Sequence, residues 1–293
     1  MSGDATTAAA RREHGCLFIV GGGEDREDRM VVLSRFVELC GGPQARILVL
    51  TAASRMHEAM WKVYDDAFGA LGVKNHSTIE IASREDAARP ETEAAIDAAD
   101  GVFMTGGDQK RLMAQIGGTR TVGALCRALR ERRIVIGGTS AGASAMSEHM
   151  LFDGTREVLP QKGLVHLAAG LGFLKRAIVD QHFSERQRLG RLLSVVAQNP
   201  HQFGIGIDED TALVVELHRS LEVVGEGSVT IVDGREMLSN YVDVGNRDTL
   251  ELLNVRLHLL PPGTRYDLVA EPGTAHAPPG PLRELLSTLL EMP

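Results

Sequence analysis

Short unbroken apolar runs alternate with segments of helical spacing through the first two thirds of the chain. The runs predict strands over 16–20, 46–50, 77–81, 102–104, 134–136 and 177–179. Apolar positions three and four apart predict helices over 27–39, 54–70, 91–99, 109–116, 122–132 and 184–197. A further helix, over 141–150, is expected to leave the strand at 134–136. Gly41-Gly42-Pro43 stops the first helix, because glycine accepts a left-handed cap and proline cannot extend the helix. Strands that are apolar throughout belong to a mainly parallel sheet covered on both faces, so the pattern predicts an α/β architecture.

Past Phe203 the rhythm changes. Segments 204–207, 211–217, 221–224 and 229–232 read as short strands separated by Asp-Glu-Asp, His-Arg-Ser and Gly-Glu-Gly turns. That is an antiparallel meander, expected to extend the central sheet. One more strand is expected over 252–260, a closing helix over 282–290, and loops at 261–263 and 272–281. Residues 1–14 are small, polar and Ala-rich and read as a disordered lead-in. The remainder, 15–293, reads as a single domain.

In an open parallel sheet, ligands bind beyond the carboxyl ends of the strands. The residues placed there are Gly21-Gly22-Gly23-Glu24, Thr51-Ala52-Ala53-Ser54, Thr105-Gly106-Gly107-Asp108-Gln109, Gly138-Thr139-Ser140-Ala141-Gly142 and Asp180-Gln181-His182. The block around Ser140 fits Gly-x-Ser-x-Gly between a strand and a helix, the context of a nucleophile elbow. Its small residues would leave the hydroxyl open, and a helix N-terminus would favour an oxyanion. A serine that merely caps the helix gives the same pattern.

A serine hydroxyl needs a base, and His182 is predicted at the same edge. Backbone N–H groups of the Gly106-Gly107-Asp108 turn, with that of Ala141, are candidate oxyanion donors. Asp153, Glu157, Asp180 and Glu209 are all candidates for the acid that orients the histidine. Asp180 lies two residues from His182 on one extended segment, an awkward geometry; Glu209 reaches the edge if 204–207 runs parallel to its neighbour. Ser184 and Gln187 form a capping pattern, and Arg186, Arg188 and Arg191 follow it with guanidinium groups suited to a carboxylate. The triple glycine lacks G-x-G-x-x-G spacing and there is no Walker lysine, which argues against nucleotide chemistry.

Composition narrows the field further. At 43% hydrophobic and 24% charged residues, the chain is ordinary for a soluble globular protein. Aromatic content of 4% argues against stacking on single-stranded nucleic acid, and a net charge of −8 against a polyanion-binding surface. Cys16 and Cys126 sit in apolar-periodic segments, and with Cys40 they form no C-x-x-C pair, which points to thiols in a reducing, cytoplasmic setting. No run approaches the roughly 20 apolar residues of a membrane helix. Arg11-Arg12 is not followed by a stretch long enough for a secretory signal.

Thr105-Gly106-Gly107-Asp108-Gln109, Gly138-Thr139-Ser140-Ala141-Gly142-Ala143, Asp180-Gln181-His182-Phe183-Ser184 with its arginines, and Gly204-Ile205-Gly206-Ile207-Asp208-Glu209 together resemble the cyanophycinases. These belong to a serine peptidase family that also contains aspartyl dipeptidase. The resemblance implies a flavodoxin-like three-layer α/β/α fold related to class I glutamine amidotransferases, a homodimer, and no metal or organic cofactor. It implies hydrolysis of cyanophycin, a poly-aspartate backbone with arginine on each β-carboxyl, to β-Asp-Arg dipeptides. Ser140 would be the nucleophile, His182 the base, and Gly107 and Ala141 the oxyanion donors. Glu209 would be the acid; a second assignment falls on Val158, so Glu157 would serve only with a one-residue shift. Gln109, Asp180, Gln181, Arg186, Arg188 and Arg191 match positions that line or support the pocket. Asp108, Asp180 and Glu24 are expected receivers of a guanidinium, and the arginines of a carboxylate. Other readings are an aspartyl or isoaspartyl dipeptidase, an esterase using the late His258 or His276, and a non-catalytic amidotransferase-like binding domain.

Overall fold

The computed structural model describes residues 15–132, 134–154, 158–268, 278 and 280–290. Outside them lie the N-terminal lead-in, Glu157, His276 and most of the expected loop 272–281. The first half runs β1 (Cys16–Val20), α1 (Val31–Cys40), β2 (Arg46–Leu50), α2 (His57–Ala70), β3 (Asn75–Ile79), α3 (Arg84–Ala88), α4 (Pro90–Ala98), β4 (Gly101–Met104), α5 (Gln109–Ile116), α6 (Arg120–Arg127) and β5 (Val135–Thr139). Then follow α7 (Ala141–Ala145), β6 (His149–Gly154), β7 (Val165–Ala169), β8 (Ala177–Gln181), α8 (Leu189–Gln198), β9 (Phe203–Ile207), β10 (Thr211–Glu216), β11 (Ser220–Gly225) and β12 (Val229–Asp233). The chain closes with β13 (Leu238–Ser239), β14 (Leu252–Leu253), β15 (Arg256–Leu260), β16 (Arg265–Asp267) and α9 (Gly280–Leu290).

The main sheet has eight strands in the order β16-β11-β10-β1-β5-β4-β2-β3. β1, β5, β4, β2 and β3 are parallel, whereas β10, β11 and β16 add on antiparallel. β1 shows why both faces are covered. Cys16, Phe18 and Val20 join Val32, Phe36 and Phe68 from α1 and α2, while Leu17 and Ile19 join Ile96, Leu112 and Leu125 from α4, α5 and α6. All five β1 residues are buried. Strands buried on both sides are what continuous apolar runs require.

The meander does not simply extend this sheet. β9 and β12 join β8 and β15 in a second, four-stranded sheet of order β15-β12-β9-β8, and β10 and β11 go to the first. Val179, Ile205 and Ile231 of this second sheet face the core shared with α4–α7, and α8 covers the opposite face through Leu192 and Val196. The switch between sheets occurs at Asp210, whose φ of 44° lies in the left-handed region and whose N–H donates to the Gly22 carbonyl.

Several helix limits depart from the periodicity because side chains or distant backbone take the terminal groups. α1 starts at Val31, not near 27: the Asp25 carboxylate accepts N–H bonds from Glu27, Asp28, Arg29 and Met30 and folds that stretch into a turn. α7 stops at Ala145, whose carbonyl accepts from Leu171, and the chain enters β6 where the pattern predicts helix. α8 starts at Leu189 because Asp208 takes both the N–H and the hydroxyl of Ser184, so the expected cap does not form. The expected strand 252–260 breaks at Asn254, with φ of 56°. Among the described residues, no helix is long and apolar enough to cross a membrane.

Candidate active site

Ser140 follows β5 with φ 50° and ψ −107°, a strained conformation for a residue with a side chain. Two glycines make the turn possible. A Cβ at Gly138 would fall 2.7 Å from the Gly142 carbonyl carbon, and one at Gly142 would fall 2.5 Å from the Met104 carbonyl oxygen. A capping serine takes extended dihedrals and bonds its hydroxyl to the helix backbone. Ser140 does neither; its Oγ lies 3.0 Å from His182 Nε2. α7 is a single turn, so what it offers an oxyanion is local N–H groups rather than a long helix dipole. On the other side, a Cβ at Gly106 would sit 3.4 Å from the Ser140 Cβ. The next residue, Gly107, has φ 144° and is held so close to the Ala53 carbonyl oxygen that a Cβ would fall 2.4 Å from it.

His182 follows β8, and Glu209 follows β9. These strands pair in parallel with Gln181 opposite Ile207, so both residues emerge at one end of the second sheet. His182 Nδ1 lies 2.5 Å from Glu209 Oε1. A carboxylate accepts only, so Nδ1 carries the hydrogen and Nε2 faces the Ser140 hydroxyl as an acceptor. Ser140 and His182 come from different sheets, and the site lies at the seam between them.

One segment spans that seam. The carbonyls of Val20, Gly21 and Gly22, three residues in succession, accept the N–H groups of Ser140 (3.1 Å), His182 (2.7 Å) and Asp210 (2.9 Å). The same segment packs against the side chains. A Cβ at Gly22 would fall 2.4 Å from His182 Cε1, and one at Gly23 would fall 2.8 Å from Glu209 Oε2. Both glycines have positive φ. The sequence places this triple glycine at the correct edge, but its spacing speaks only against phosphate binding; its role in backing an imidazole and a carboxylate was the part missed.

Burial pushes the His182 pKa below its ordinary 6.5, against the opposing bond from Glu209; the positive charges of Arg186 and Arg188 lower it further, while the Glu209 charge raises it. The shift favours the neutral ring, the state a base requires. Asp208 was also missed. It ties the Ser184 N–H and hydroxyl to those of Ser228, clamping the turn that follows His182, and these bonds hold its carboxyl below the usual range despite burial. The Gly-Ile-Asp-Glu block contained the signal.

The remaining expected site residues divide. Gln109 opens α5, and its amide nitrogen contacts the Leu151 carbonyl at 3.4 Å. Arg186 is half-buried, with its N–H on the His182 carbonyl. Asp108 caps α5 through the N–H groups of Lys110 and Arg111, so its carboxylate is engaged in that turn. Asp180 and Glu24, expected to receive a guanidinium, are buried and already hold this chain's own. Asp180 pairs with Arg191 and Arg188, and Glu24 with Arg26. Arg191 is correspondingly buried behind the site, and Arg188 also bonds the Gln181 side chain at 3.1 Å. Asp153 is exposed on β6 and pairs with Lys110 at 3.6 Å. His258, the late-histidine alternative, sits on strand β15 near Asp233 and Arg256, across the second sheet from β8. Glu157 and His276 lie outside the described residues.

Comparison with known proteins identifies the family. A family model described as "Peptidase family S51" matches residues 17–222. Proteins named cyanophycinase from Synechococcus elongatus and Thermosynechococcus vestitus are each 39% identical over 264 residues, covering 90% of this chain and 82% of theirs. One from Geminocystis herdmanii is 37% identical, covering 86% of this chain and 93% of its own. A crystal structure of a peptidase from an acI-B1 actinobacterium has the same fold, with a TM-score of 0.64 at 22% identity over 87% of this chain and 97% of that one.

Proposed function

The chain belongs to peptidase family S51, and from that premise we propose that it is a serine-type exopeptidase that hydrolyses cyanophycin to β-Asp-Arg dipeptides. The hydrogen-bonded series Ser140–His182–Glu209 carries the reading. His182 Nε2 takes the hydroxyl proton as Ser140 Oγ attacks the scissile carbonyl, and Glu209 stabilises the imidazolium that forms. The N–H groups of Gly107 and Ala141 stabilise the oxyanion. As the tetrahedral intermediate collapses, the imidazolium gives its proton to the departing amine and an acyl-serine remains. Water, deprotonated by the same imidazole, then releases the acid and restores the hydroxyl. Gln109, Gln181, Arg186 and Arg188 border the substrate-binding side, and Asp180 and Arg191 support it from behind.

The experiment is to incubate the purified protein with insoluble cyanophycin and identify the soluble product. Release of β-Asp-Arg, abolished by Ser140→Ala, supports the proposal; activity confined to Asp-X dipeptides overturns the substrate assignment. Two further features belong to the same proposal. Cys16, Cys40 and Cys126 are thiols, which suits a reducing cytoplasm. Leu257 and Leu259 are exposed on strand β15 at the edge of the second sheet, which supports a homodimer. Light scattering of the purified protein tests the latter.

A further inference from the structure

The serine-hydrolase reading leaves unexplained a buried acid that touches none of the three reacting side chains. Glu24 ends the segment whose carbonyls hold Ser140, His182 and Asp210. Its side chain is fully inaccessible. One carboxylate oxygen accepts the Thr139 hydroxyl at 2.6 Å, and Thr139 is the residue before the nucleophile. The other accepts the Tyr64 hydroxyl at 2.5 Å and the Arg26 guanidinium at 3.1 Å and 3.2 Å. Burial and the Glu24 charge both raise the Tyr64 pKa, which keeps the phenol a donor. Arg26 also lies over the Tyr64 ring, 5.3 Å from its centroid. Both carboxylate oxygens of Glu24 are thus used for anchorage.

We propose that Glu24 is a positioning residue that sets the nucleophile in register with its base by fixing the Gly21–Gly23 segment to the end of β5 through Thr139. Gly21 to Gly23 on their own form a flexible hinge, because glycine restrains φ least of all residues. Yet this hinge backs His182 and Glu209, which reach it from the second sheet, while Ser140 rides on the first. The Ser140 N–H bond to Val20 ties the start of this segment to β5, and the Thr139 bond to Glu24 ties its far end, so that the Ser140–His182 distance does not follow small movements of one sheet against the other. Thr139 is buried, so its hydroxyl bond to Glu24 is sheltered from competing water. Glu24 therefore works through geometry, not through proton transfer.

This inference rests on the serine-hydrolase reading, so its test uses a probe of the nucleophile that is independent of substrate. The second-order rate of inactivation by a fluorophosphonate is measured alongside kcat and KM on cyanophycin. Thr139→Val keeps the shape and removes the bond; Thr139→Ser keeps the bond and removes a methyl group. Glu24→Gln keeps the shape and removes the charge. A misplacement near 1 Å costs about 10²-fold in rate. Thr139→Val is expected to lower both kcat and the inactivation rate about 10- to 100-fold with KM within about twofold. Thr139→Ser should recover most of that loss, and Glu24→Gln should resemble Thr139→Val. Thr139→Val reacting as fast as the unmodified enzyme, or faster than Thr139→Ser, overturns the proposal. An unmodified enzyme inert to the fluorophosphonate overturns the hydrolase reading itself, and this inference with it. Thr139→Val is the decisive variant, since it keeps the buried volume even if Glu24→Gln folds poorly.

Discussion

Gly22→Ala tests the packing behind the imidazole more sharply than removal of any reacting group. Gly22 has φ +95°, and an added Cβ would fall 2.4 Å from His182 Cε1 and 2.5 Å from Nε2. Ordinary carbon contacts are about 3.5 Å or longer, so the ring must retreat by about 1 Å. The displaced ring loses its register with Ser140, because Nε2, one of the atoms the added Cβ would meet, is the atom that lies 3.0 Å from the hydroxyl. A shift of that size costs about 10²-fold in kcat/KM, or about 2.7 kcal/mol of transition-state stabilisation. The backbone adds a separate penalty of about 1–2 kcal/mol in stability, because alanine resists positive φ. Gly72→Ala separates the two effects. Gly72 has φ +76° with nothing within 4 Å of its added Cβ, so that variant carries the backbone strain without a collision. The assay pairs kcat/KM on cyanophycin with thermal unfolding. Both variants should melt a few degrees lower, and Gly22→Ala alone should lose activity. A Gly22→Ala enzyme within threefold of the unmodified rate would refute the claim that this glycine sets the imidazole.

Other consequences can be checked with similar economy. Ser140→Ala should abolish cyanophycin hydrolysis by about 10⁴-fold or more, and Glu209→Gln should cost about 10³- to 10⁴-fold, both measured as kcat at saturating substrate. Because burial lowers the folded His182 pKa below 6.5, kcat/KM should rise with pH along a limb whose midpoint lies below 6.5. Within that window the unfolded chain binds the extra proton, so the His182 contribution to stability rises with pH and is lost as pH falls through the folded pKa. Arg186→Ala should move the acid limb of the rate profile to higher pH by removing a charge that disfavours the imidazolium; an unmoved limb would exclude that influence. Asp180→Ala leaves two guanidinium groups without their shared carboxylate, one of them buried, and should destabilise the fold by about 3–5 kcal/mol in urea unfolding.

Much of the fold was legible because its strands are local and apolar on both faces. Cys16–Val20 and Arg46–Leu50 match the predicted spans residue for residue, as does the helix Gln109–Ile116, which has its own capping Asp108. The edge positions of Ser140, His182 and Glu209 were legible too, since each lies two to four residues beyond an apolar run. What the pattern could not carry was anything decided by a distant partner. Ser184 looks like a helix cap until Asp208, 24 residues later, takes its N–H and hydroxyl. The helix expected to reach residue 150 ends five residues early because Leu171 claims the Ala145 carbonyl. Arg188 and Arg191 share one helical face in the sequence, yet nothing local reveals that Asp180 lies beneath both. A guanidinium sought for a substrate and one spent on a buried carboxylate look alike until the fold brings their partners together.

The strained residues explain why the site stands where the two sheets meet. Ser140, His182 and Asp210 each hold positive φ, a conformation that costs about 1–3 kcal/mol per residue and persists only where the surroundings enforce it. Here each has its N–H fixed to one of three successive carbonyls, Val20, Gly21 and Gly22. β1 and the two glycines that follow it can supply all three because of the strand's position. It lies between β5, which delivers Ser140, and β10, which begins just after Asp210, so its end reaches both. β8 and β9 belong to the other sheet, and glycine at 21 is what lets that sheet approach: a Cβ there would fall 2.0 Å from the Asp208 carbonyl oxygen. A bulkier residue after β1 would hold the second sheet away and leave the imidazole out of reach of the serine, however intact the Gly-x-Ser-x-Gly turn remained. The hydrolytic geometry therefore depends on the end of the buried central strand as much as on the elbow that presents the nucleophile.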